Sequence, residues 1–351
     1  MTRRSKLLVA GVAGGLLLIG AGAAAVVGPV SEAERSSFDP DRGRDLLDDE
    51  DADEAAGDDA PAVTVESVEP PEGGPSPAED VAYESVLVLG SDAGLEEGDE
   101  RADAIAVGLL LEEGEPVLFS LPRDLWVDNP CEGHRTRLNA GLYGCGSDAS
   151  GIELTAAMVE QVTQLTIDHV VEMDFEGFET VVDEFGGVEV CTDNPVRDPK
   201  VDEDWGLPGG CVDADGEQAL GWVRSRGTLE EVDGTWRYKD GVDDLTRIER
   251  QQELMLELVS SVGDVGSAYE LRGRLDTLLD QMRLSDTLDL VRITDLAWSA
   301  RGLEPDDIRR VSFDVHDHQT EAGAEVLLLD EPVPDVLVRE LEDGQRLLDA
   351  R

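Results

Sequence analysis

The apolar and charged positions divide the chain into an N-terminal apolar run, an acidic stretch and a long segment of alternating patterns. Residues 7–28 contain no charged side chain, and Arg3, Arg4 and Lys6 precede them. A helix of this length spans about 33 Å, enough to cross a bilayer core of about 30 Å. Because basic residues precede the run and acidic residues follow it, the positive-inside rule predicts a single transmembrane helix with a cytoplasmic N-terminus. The alternative is a cleaved signal peptide, and both interpretations export the rest of the chain.

Residues 29–82 are dominated by Asp, Glu, Ala, Pro and Gly and contain almost no aromatic side chains. Such a segment repels itself and has too little apolar surface to offset the entropy lost on ordering, so we predict a disordered acidic linker. The predicted organisation is therefore a cytoplasmic tip at 1–6, a membrane anchor at 7–28, this linker, an extracellular domain at 83–340 and a tail at 341–351.

Residues 83–340 alternate between short apolar runs and segments with helical periodicity. Apolar runs of strand length occupy residues 83–92, 103–111, 116–122, 168–175, 187–191 and 308–315. Helical spacing of apolar residues occurs at 152–166, 175–186, 213–226, 242–262, 271–282, 286–300 and 334–349. Strands mixed with helices throughout predict an α/β/α sandwich with a central mixed sheet.

The charge of the chain changes which partners are plausible. Acidic residues number 80 against 28 basic ones, for a formal net charge of −52, and this repels nucleic acid. Only Lys6, Lys200 and Lys239 are lysines, so the other 25 basic residues are arginine. This bias fits a salt-adapted composition, or a requirement for planar guanidinium groups that bind phosphate or carboxylate. Composition alone leaves both interpretations open.

Four cysteines fit an exported chain. Cys131 lies near Cys145 in the sequence and Cys191 lies near Cys211, and neither pair has the spacing of a zinc site. We therefore predict two local disulfides, 131–145 and 191–211. The alternative is that all four are buried free thiols.

One predicted helix has an unusual face. At about 100° per residue, Asp244, Arg247, Gln251 and Met255 of "VDDLTRIERQQELM" lie roughly on one side. The apolar part of this face should point into a core, yet a buried charge costs several kcal/mol unless it is paired. These polar residues therefore pair with each other or face a charged ligand.

Further charged residues lie at the ends of predicted strands, where α/β proteins bind their ligands. They are Asp92, Arg101, Asp103, Arg123 and Asp124. Arg224 and Arg226, in "VRSR", would share one face of an extended segment.

Six motifs follow one another over about residues 83–262. They are "VLVLGSD…RADAIAV", "LPRDLWV", "TRLNAGLYGCG", "DHVVEMDFEGFETVVDEFGGVEV", "LPGGCVDADGEQALGWVRSR" and "DDLTRIERQQ". In these motifs and their order the chain resembles the LytR–CpsA–Psr family of cell-wall glycopolymer transferases. Ala102 stands where this family usually has Ser, Arg137 where it often has Lys, and Cys145–Gly146 where it has a Gly pair. An unusually long insert at 227–242 follows the double-arginine motif and is in a position to alter access of the acceptor.

The resemblance implies the substrates and the cofactor. The donor is a polyprenyl pyrophosphate carrying a glycan, the acceptor is peptidoglycan, and the reaction takes place at the cell membrane without a nucleic-acid partner. Mg²⁺ is the implied cofactor, with Mn²⁺ as an alternative. Asp92 and Asp103 are its implied ligands, since Mg²⁺ prefers hard oxygen donors and leaves some positions to water and phosphate.

The resemblance also implies roles for the charged residues. The pyrophosphate-binding residues are Arg101, Arg123, Arg224, Arg226, Arg247 and Gln251. The catalytic residues are Arg123, Asp124, Asp244 and Arg247. Asp124 is the candidate base for the acceptor hydroxyl, and Asp244 is expected to orient Arg247. Phosphoryl transfer depends mainly on positioning and charge neutralisation, so it requires no covalent nucleophile.

Two other functions remain open at this stage. One is a membrane-anchored protein that binds polyprenyl phosphates without turnover, and the other is a hydrolase of polyprenyl pyrophosphates. The intact set of aspartates and arginines favours the transferase. The sequence contains neither a P-loop nor a dinucleotide-binding motif.

Overall fold

The computed structural model describes residues 34–48, 82–92, 101–112, 114–239, 244–263, 279–288, 292–293 and 307–349. In this part of the chain, strands β1 to β17 occupy Glu34–Ser36, Tyr83–Ser91, Ala102–Leu111, Val117–Ser120, Trp126–Asn129, His134–Arg137, His169–Asp174, Val188–Thr192, Val196–Arg197, Gly206–Leu207, Gly210–Ala214, Leu229–Val232, Thr235–Tyr238, Met282–Ser285, Arg309–Val311, Val315–Gln319 and Glu325–Leu329. Helices α1 to α6 occupy Pro40–Asp48, Gly151–Thr163, Phe175–Phe185, Gly216–Arg224, Asp244–Gly263 and Val333–Asp349, and Leu138–Tyr143 forms a 3-10 helix.

The central sheet has the spatial order β1-β14-β7-β2-β3-β4-β15. Its middle strand, β2, pairs in parallel with β7 and antiparallel with β3. Strands β1 and β14 form another parallel pair, as do β4 and β15. The sheet is therefore mixed, as the sequence predicts.

Alternate side chains of β2 point into two hydrophobic cores. Val86 and Val88 pack with residues of α3, α4 and α5, whereas Leu87 and Leu89 pack with residues of α2 and α6. Because successive side chains of a strand point to opposite faces, an apolar central strand requires cover on both sides. The described part of the chain is thus the predicted α/β/α sandwich.

The predicted disordered linker at 29–82 is wrong for residues 34–48. Strand β1 extends the central sheet beside β14, and α1 packs on α2. The Arg44 guanidinium donates two hydrogen bonds to the Glu160 carboxylate, at 2.8 and 2.9 Å, and Phe38 is buried in the core. The composition of this segment predicts disorder, but contacts with distant parts of the domain stabilise it.

The C-terminal boundaries also differ from the prediction. The tail predicted at 341–351 is helical as far as Asp349, because α6 continues through it. The helix predicted at 271–282 is wrong at its end, since Met282 begins strand β14. Residues 271–278 and most of the helix predicted at 286–300 lie outside the described residues.

The predicted anchor at 7–28 also lies outside the described residues. Within the ranges that the structure covers, no helix combines the length and the hydropathy needed to cross a bilayer.

The insert at 227–242 contains a β-hairpin. Strands β12 and β13 pair antiparallel, and Asp233 and Gly234 form the turn with φ angles of 54° and 74°. An Asp-Gly turn of this kind matches the twist of a hairpin. The hairpin pairs with β9, so a second sheet forms with the order β10-β9-β12-β13.

Candidate active site

A cavity of about 270 Å³ lies between the central sheet and helices α3, α4 and α5. Six residues predicted from the sequence line it: Asp103, Arg123, Arg224, Arg226, Arg247 and Gln251. Its other walls are mainly apolar and include Met173, Phe175, Phe178, Leu220, Val223, Leu254, Met255 and Leu258. Arg224 and Arg226 are exposed, whereas Leu254 and Leu258 are buried. The cavity therefore has a charged, solvent-exposed part and an apolar, buried part.

A β-bulge places Asp103 at the cavity. Gly90 pairs with Ala104 and Ser91 pairs with Ala102, so Asp103 has no direct partner on β2. The extra residue of a bulge departs from the regular alternation, and this redirects its side chain. The Asp103 carboxylate contacts the guanidinium of Arg123, which follows β4. Pairing of β3 with β4 thus brings these two charges together.

Asp92 and Arg101 lie at the same edge of the sheet as Asp103, but neither is among the described residues that line the cavity. The Asp92 carboxylate accepts a hydrogen bond from the backbone N–H of Arg101 at 3.0 Å. The Arg101 Nε donates to the hydroxyl oxygen of Tyr143 at 2.5 Å. Both side chains are exposed.

Helix α4 ends at Arg224, and its guanidinium lies 4.4 Å from the centre of the Phe175 ring. Phe175 begins α3, whose N-terminus is capped by the Asp174 carboxylate, which accepts from the Gly177 N–H at 2.7 Å. An aromatic face orients a guanidinium and leaves its N–H edge available to a ligand. The helix predicted at 213–226 runs over Gly216–Arg224, so "VRSR" is only partly extended: Arg224 belongs to the helix and Ser225 is its extended C-cap.

A buried carboxylate that the sequence analysis missed, Asp198, holds the loop that carries Arg226. Its Oδ2 accepts hydrogen bonds from the Ser225 hydroxyl at 2.8 Å, from the Arg226 N–H at 3.1 Å and from the Gly227 N–H at 2.8 Å. Asp198 is only 1% exposed, and a carboxylate so buried must be hydrogen-bonded to be tolerated. No motif or periodicity marks this residue, because its partners are 27 to 29 positions away.

Arg247, Gln251 and Met255 of helix α5 line the same cavity. This explains why polar and apolar residues share one face of the helix. Arg247 is 4% exposed. Gln252, on the adjacent side, donates from Nε2 to the Ser120 hydroxyl at 3.2 Å and ties the helix to β4. Asp244 begins the helix, and its role in orienting Arg247 stays a prediction.

Arg250 is a second buried charge that the sequence analysis missed. Its guanidinium stacks on Trp222, 3.7 Å from the ring centre, and donates to the Trp222 and Ser225 carbonyl oxygens at 3.2 and 3.3 Å. Burial lowers the pKa of Arg250 to about 10, so the side chain stays charged at neutral pH. Arg250 thus joins α5 to the end of α4, and its place in "RIERQQ" is the signal that could have identified it.

Asp124 lies between two guanidinium groups, and it is not among the described residues that line the cavity. Its Oδ2 is 3.4 Å from Arg123 Nε, and its Oδ1 is 3.2 Å from Arg137 Nε. Arg137, which the sequence analysis did not assign to the site, also donates to the Glu325 carbonyl oxygen at 2.7 Å. This geometry suits a carboxylate that orients Arg123, and the role of Asp124 as a base stays a prediction.

Both predicted disulfides are present. Cys131 pairs with Cys145 and Cys191 pairs with Cys211, with Cα–Cα distances of 5.5 and 4.0 Å. The second disulfide joins directly paired residues of β8 and β11. The free-thiol alternative is therefore wrong, and each disulfide closes a loop beside one of the motifs.

A family model, described as the LytR_cpsA_psr family, matches residues 49–342. The chain is 35% identical over 181 residues to the probable cell wall biosynthesis protein LcpB of Corynebacterium glutamicum, a match that covers 52% of this chain and 38% of LcpB. It is 30% identical over 230 residues to the polyisoprenyl-teichoic acid–peptidoglycan teichoic acid transferase TagT of Bacillus subtilis, which covers 63% of this chain and 66% of TagT. The matched part thus spans less than two thirds of either relative.

The fold is also shared with solved structures. B. subtilis TagV superimposes with a TM-score of 0.61 and 21% identity, covering 75% of this chain and 96% of the TagV chain. The matched family region begins at residue 49, so strand β1 and helix α1 precede it.

Proposed function

Because the chain belongs to the LytR–CpsA–Psr family, we propose that it is a phosphotransferase acting on a lipid-linked glycan. It moves a glycan phosphate from a polyprenyl-pyrophosphate-linked precursor onto peptidoglycan and releases polyprenyl phosphate. One observation carries this proposal: guanidinium groups from three separate elements and a set of apolar side chains enclose the same cavity.

The cavity suits a donor with two chemically different parts. The guanidinium groups of Arg123, Arg224, Arg226 and Arg247 offer planar donors to a pyrophosphate. The apolar walls of α3, α4 and α5 offer the adjacent start of a lipid tail a place away from water. The name of TagT, which describes a transferase of polyisoprenyl-linked teichoic acid to peptidoglycan, supports the same donor and acceptor classes here.

The proposed reaction is a single displacement at phosphorus. A peptidoglycan hydroxyl oxygen forms a bond to the phosphorus that carries the glycan, and the bond from that phosphorus to the bridging pyrophosphate oxygen breaks. Polyprenyl phosphate leaves with the electron pair, and the hydroxyl proton passes to a base, for which Asp124 is the candidate. The arginines neutralise the charge that develops on the transferred group and on the leaving group, as phosphoryl transfer requires.

Asp92 and Asp103 are the candidate ligands of Mg²⁺. Both offer hard carboxylate oxygens: Asp92 directly follows Ser91, and Asp103 directly follows Ala102, the partner of Ser91. A Mg²⁺ site is commonly built from one or two carboxylates with phosphate and water. The cation, when bound, neutralises pyrophosphate charge. Asp103 also contacts Arg123, so it would hold this guanidinium and the cation at one place.

The apolar run at 7–28 is proposed as a membrane anchor with the domain outside the cell. An anchor of this kind would keep the cavity near a donor that is itself confined to the membrane, and this raises the effective concentration of the donor.

Product analysis with the full-length chain in detergent tests the function. The chain is incubated with a polyprenyl-pyrophosphate-linked glycan, with and without peptidoglycan, and both the lipid product and the glycan attached to peptidoglycan are measured. We expect polyprenyl phosphate and a peptidoglycan phosphodiester in equal amounts, and release that depends on the acceptor.

The same experiment separates the alternatives. Release of polyprenyl phosphate at the same rate without peptidoglycan would identify a hydrolase. Donor binding with no product under either condition would identify a binding protein without turnover.

A further inference from the structure

One face of the second sheet, β10-β9-β12-β13, carries two aromatic side chains: Tyr238, which is exposed, and Trp236, which is half-buried beneath the Arg197 guanidinium. In an antiparallel sheet, directly paired residues share a face. Arg197, Leu229 and Tyr238 form one row across three strands, and Glu231 pairs with Trp236 in the next row. All five therefore lie on one face, which we call the hairpin face. On β9 and β10 the opposite face is buried, since Val196 and Leu207 are 1% and 3% exposed and belong to the core, whereas on β13 its residues Thr235 and Arg237 are exposed.

The hairpin face has the chemical features of a surface that is completed by a ligand. Tyr238 is 69% exposed, and within the described residues its ring packs against no core cluster. The Arg197 guanidinium reaches across β12 and stacks on Trp236, 4.2 Å from the ring centre. Its Nε is buried without a hydrogen-bond acceptor among the described residues. The exposed Tyr238 ring therefore lies on the same face as a stacked guanidinium and indole pair, and such flat surfaces suit a ligand that packs on rings.

The hairpin is connected to the active site through its base. Leu229 follows Arg226 by three residues, so their Cα atoms are at most about 11 Å apart. The Thr228 carbonyl oxygen accepts from the Lys239 N–H at 2.9 Å, and the Thr228 hydroxyl accepts from the Arg250 guanidinium. The strands that present the hairpin face are therefore held by the same network that holds the arginine-bearing loop.

We propose that the hairpin face binds the glycan strand of the peptidoglycan acceptor. This rests on the proposed function and adds the surface on which the acceptor docks. Sugar rings present C–H groups that pack on aromatic faces, whose π-systems are negative, and hydroxyl groups that pair with a guanidinium and a carboxylate. Tyr238 and Trp236 supply the rings, and Arg197 and Glu231 supply the polar partners.

The chemistry of the two substrates and the charge of the hairpin favour the acceptor glycan as the ligand of the hairpin face. The donor is held at the cavity by its pyrophosphate and lipid, whereas a polymeric acceptor needs a surface outside the cavity that leads to the arginines. An anionic membrane is disfavoured because residues 229–238 carry three acidic side chains against one basic side chain, Arg237, and a negative leaflet repels this excess. The glycan strand of the acceptor is the polymer that needs such a surface, and the charge that disfavours a membrane does not exclude it.

The test uses the full-length chain in detergent and three single variants of one strand. Tyr238→Ala removes the exposed ring, Tyr238→Phe keeps it, and Thr235→Ala changes the opposite face of β13 as a matched control. Binding is measured by co-sedimentation with insoluble peptidoglycan, without donor. Transfer kinetics are measured with the acceptor varied at saturating donor.

We expect Tyr238→Ala to raise both the acceptor Kd and the acceptor KM about five- to tenfold, the scale of one lost ring contact. Donor KM and kcat should stay unchanged, and Tyr238→Phe and Thr235→Ala should behave as wild type. Unchanged co-sedimentation of Tyr238→Ala would overturn the proposal, as would a loss confined to donor KM or to binding of anionic liposomes.

Failure of this inference is distinguishable from failure of the proposed function. Suppose that the wild type shows no transfer, and that its co-sedimentation with peptidoglycan nevertheless depends on Tyr238. The hairpin face is then a binding surface, and the proposed transferase function is wrong. If transfer occurs and Tyr238→Ala is neutral in both assays, the transferase stands and the hairpin face fails.

Discussion

The Oδ2 atom of Asp198 accepts a hydrogen bond from the backbone N–H of Arg226 at 3.1 Å, although 28 positions separate the two residues. The same oxygen atom also binds the neighbours of Arg226 on both sides. The position of an arginine in the cavity wall is therefore set by a residue outside every motif of the sequence.

We predict that Asp198→Ala impairs donor binding. The change leaves three buried donors without their acceptor, and each unsatisfied donor costs about 1–3 kcal/mol unless the loop moves to satisfy it. Donor KM should rise at least tenfold, and Asp198→Asn, which keeps an acceptor oxygen, should recover part of the loss. Steady-state kinetics check this, with Asp204→Asn as the control, since Asp204 is an exposed aspartate six residues further along the chain. Equal kinetics in Asp198→Ala and the control would contradict the positioning role.

Arg123→Ala and Arg247→Ala are expected to abolish nearly all transfer while the chain stays folded. Each removes a charge-assisted contact worth about 1.5–3 kcal/mol in binding, and the same contact strengthens as charge develops in the transition state. Arg247→Lys should rescue poorly, because lysine lacks the planar fork. Transfer rates and thermal unfolding are compared with Arg135→Ala, which breaks only a surface ion pair with Asp128. Full activity in the two variants would place the anion site elsewhere.

Removal of the divalent cation should resemble Asp103→Ala. If Asp103 is a ligand, chelation should weaken donor binding to the wild type and have little further effect on the variant. Donor binding is measured by calorimetry across a Mg²⁺ titration, without turnover. A variant that keeps the Mg²⁺ dependence of the wild type would exclude Asp103 as a ligand.

Glu172 should make stability depend on pH. Its burial on β7 raises its pKa above the ordinary value of 4.5, and Arg283, 3.0 Å away, only partly opposes this. The folded state then binds more protons than the unfolded state between the two pKa values, so the free energy of unfolding falls as pH rises through that interval. Relative to wild type, Glu172→Gln should therefore gain stability as pH rises above about 4.5. Denaturant titrations at several pH values give the free energy of unfolding of both proteins. The prediction is refuted if this free energy changes with pH by the same amount in wild type and in Glu172→Gln.

Cleavage between α1 and β2 should not separate the two fragments. A protease site introduced within residues 49–81 divides the chain after the segment that pairs with β14 and packs on α2. The N-terminal fragment should co-elute with the domain in native buffer and separate in denaturant. Arg44→Glu, which reverses one side of the pair with Glu160, should weaken this association. Separation of the wild-type fragments in native buffer would show that residues 34–48 contribute little to the stability of the domain.

The local elements of this protein follow from its sequence because their causes are local. The periodicity of residues 175–186 predicts a helix, and that helix runs over Phe175–Phe185 and is closed by Gly186 with φ 90°. The apolar run at 83–92 predicts a strand, and β2 occupies Tyr83–Ser91 with two covered faces. Six of the predicted site residues line one cavity, and the motifs that contain them lie within residues 49–342, which the family model matches.

The tertiary structure decided what depends on contacts between distant residues. Composition predicts disorder for residues 34–48, but pairing with β14 and the Arg44–Glu160 contact order them. Asp198 has no local signal of its role, and Arg250 is marked only by its place in a motif, since the contacts of each are with partners more than 20 positions away. The bulge that aims Asp103 at Arg123 exists only when β2 and β3 are paired. The sequence determined which residues are candidates for the chemistry, and packing determined which of them meet. The periodicity of side chains depends on one segment, whereas the register between two strands depends on both.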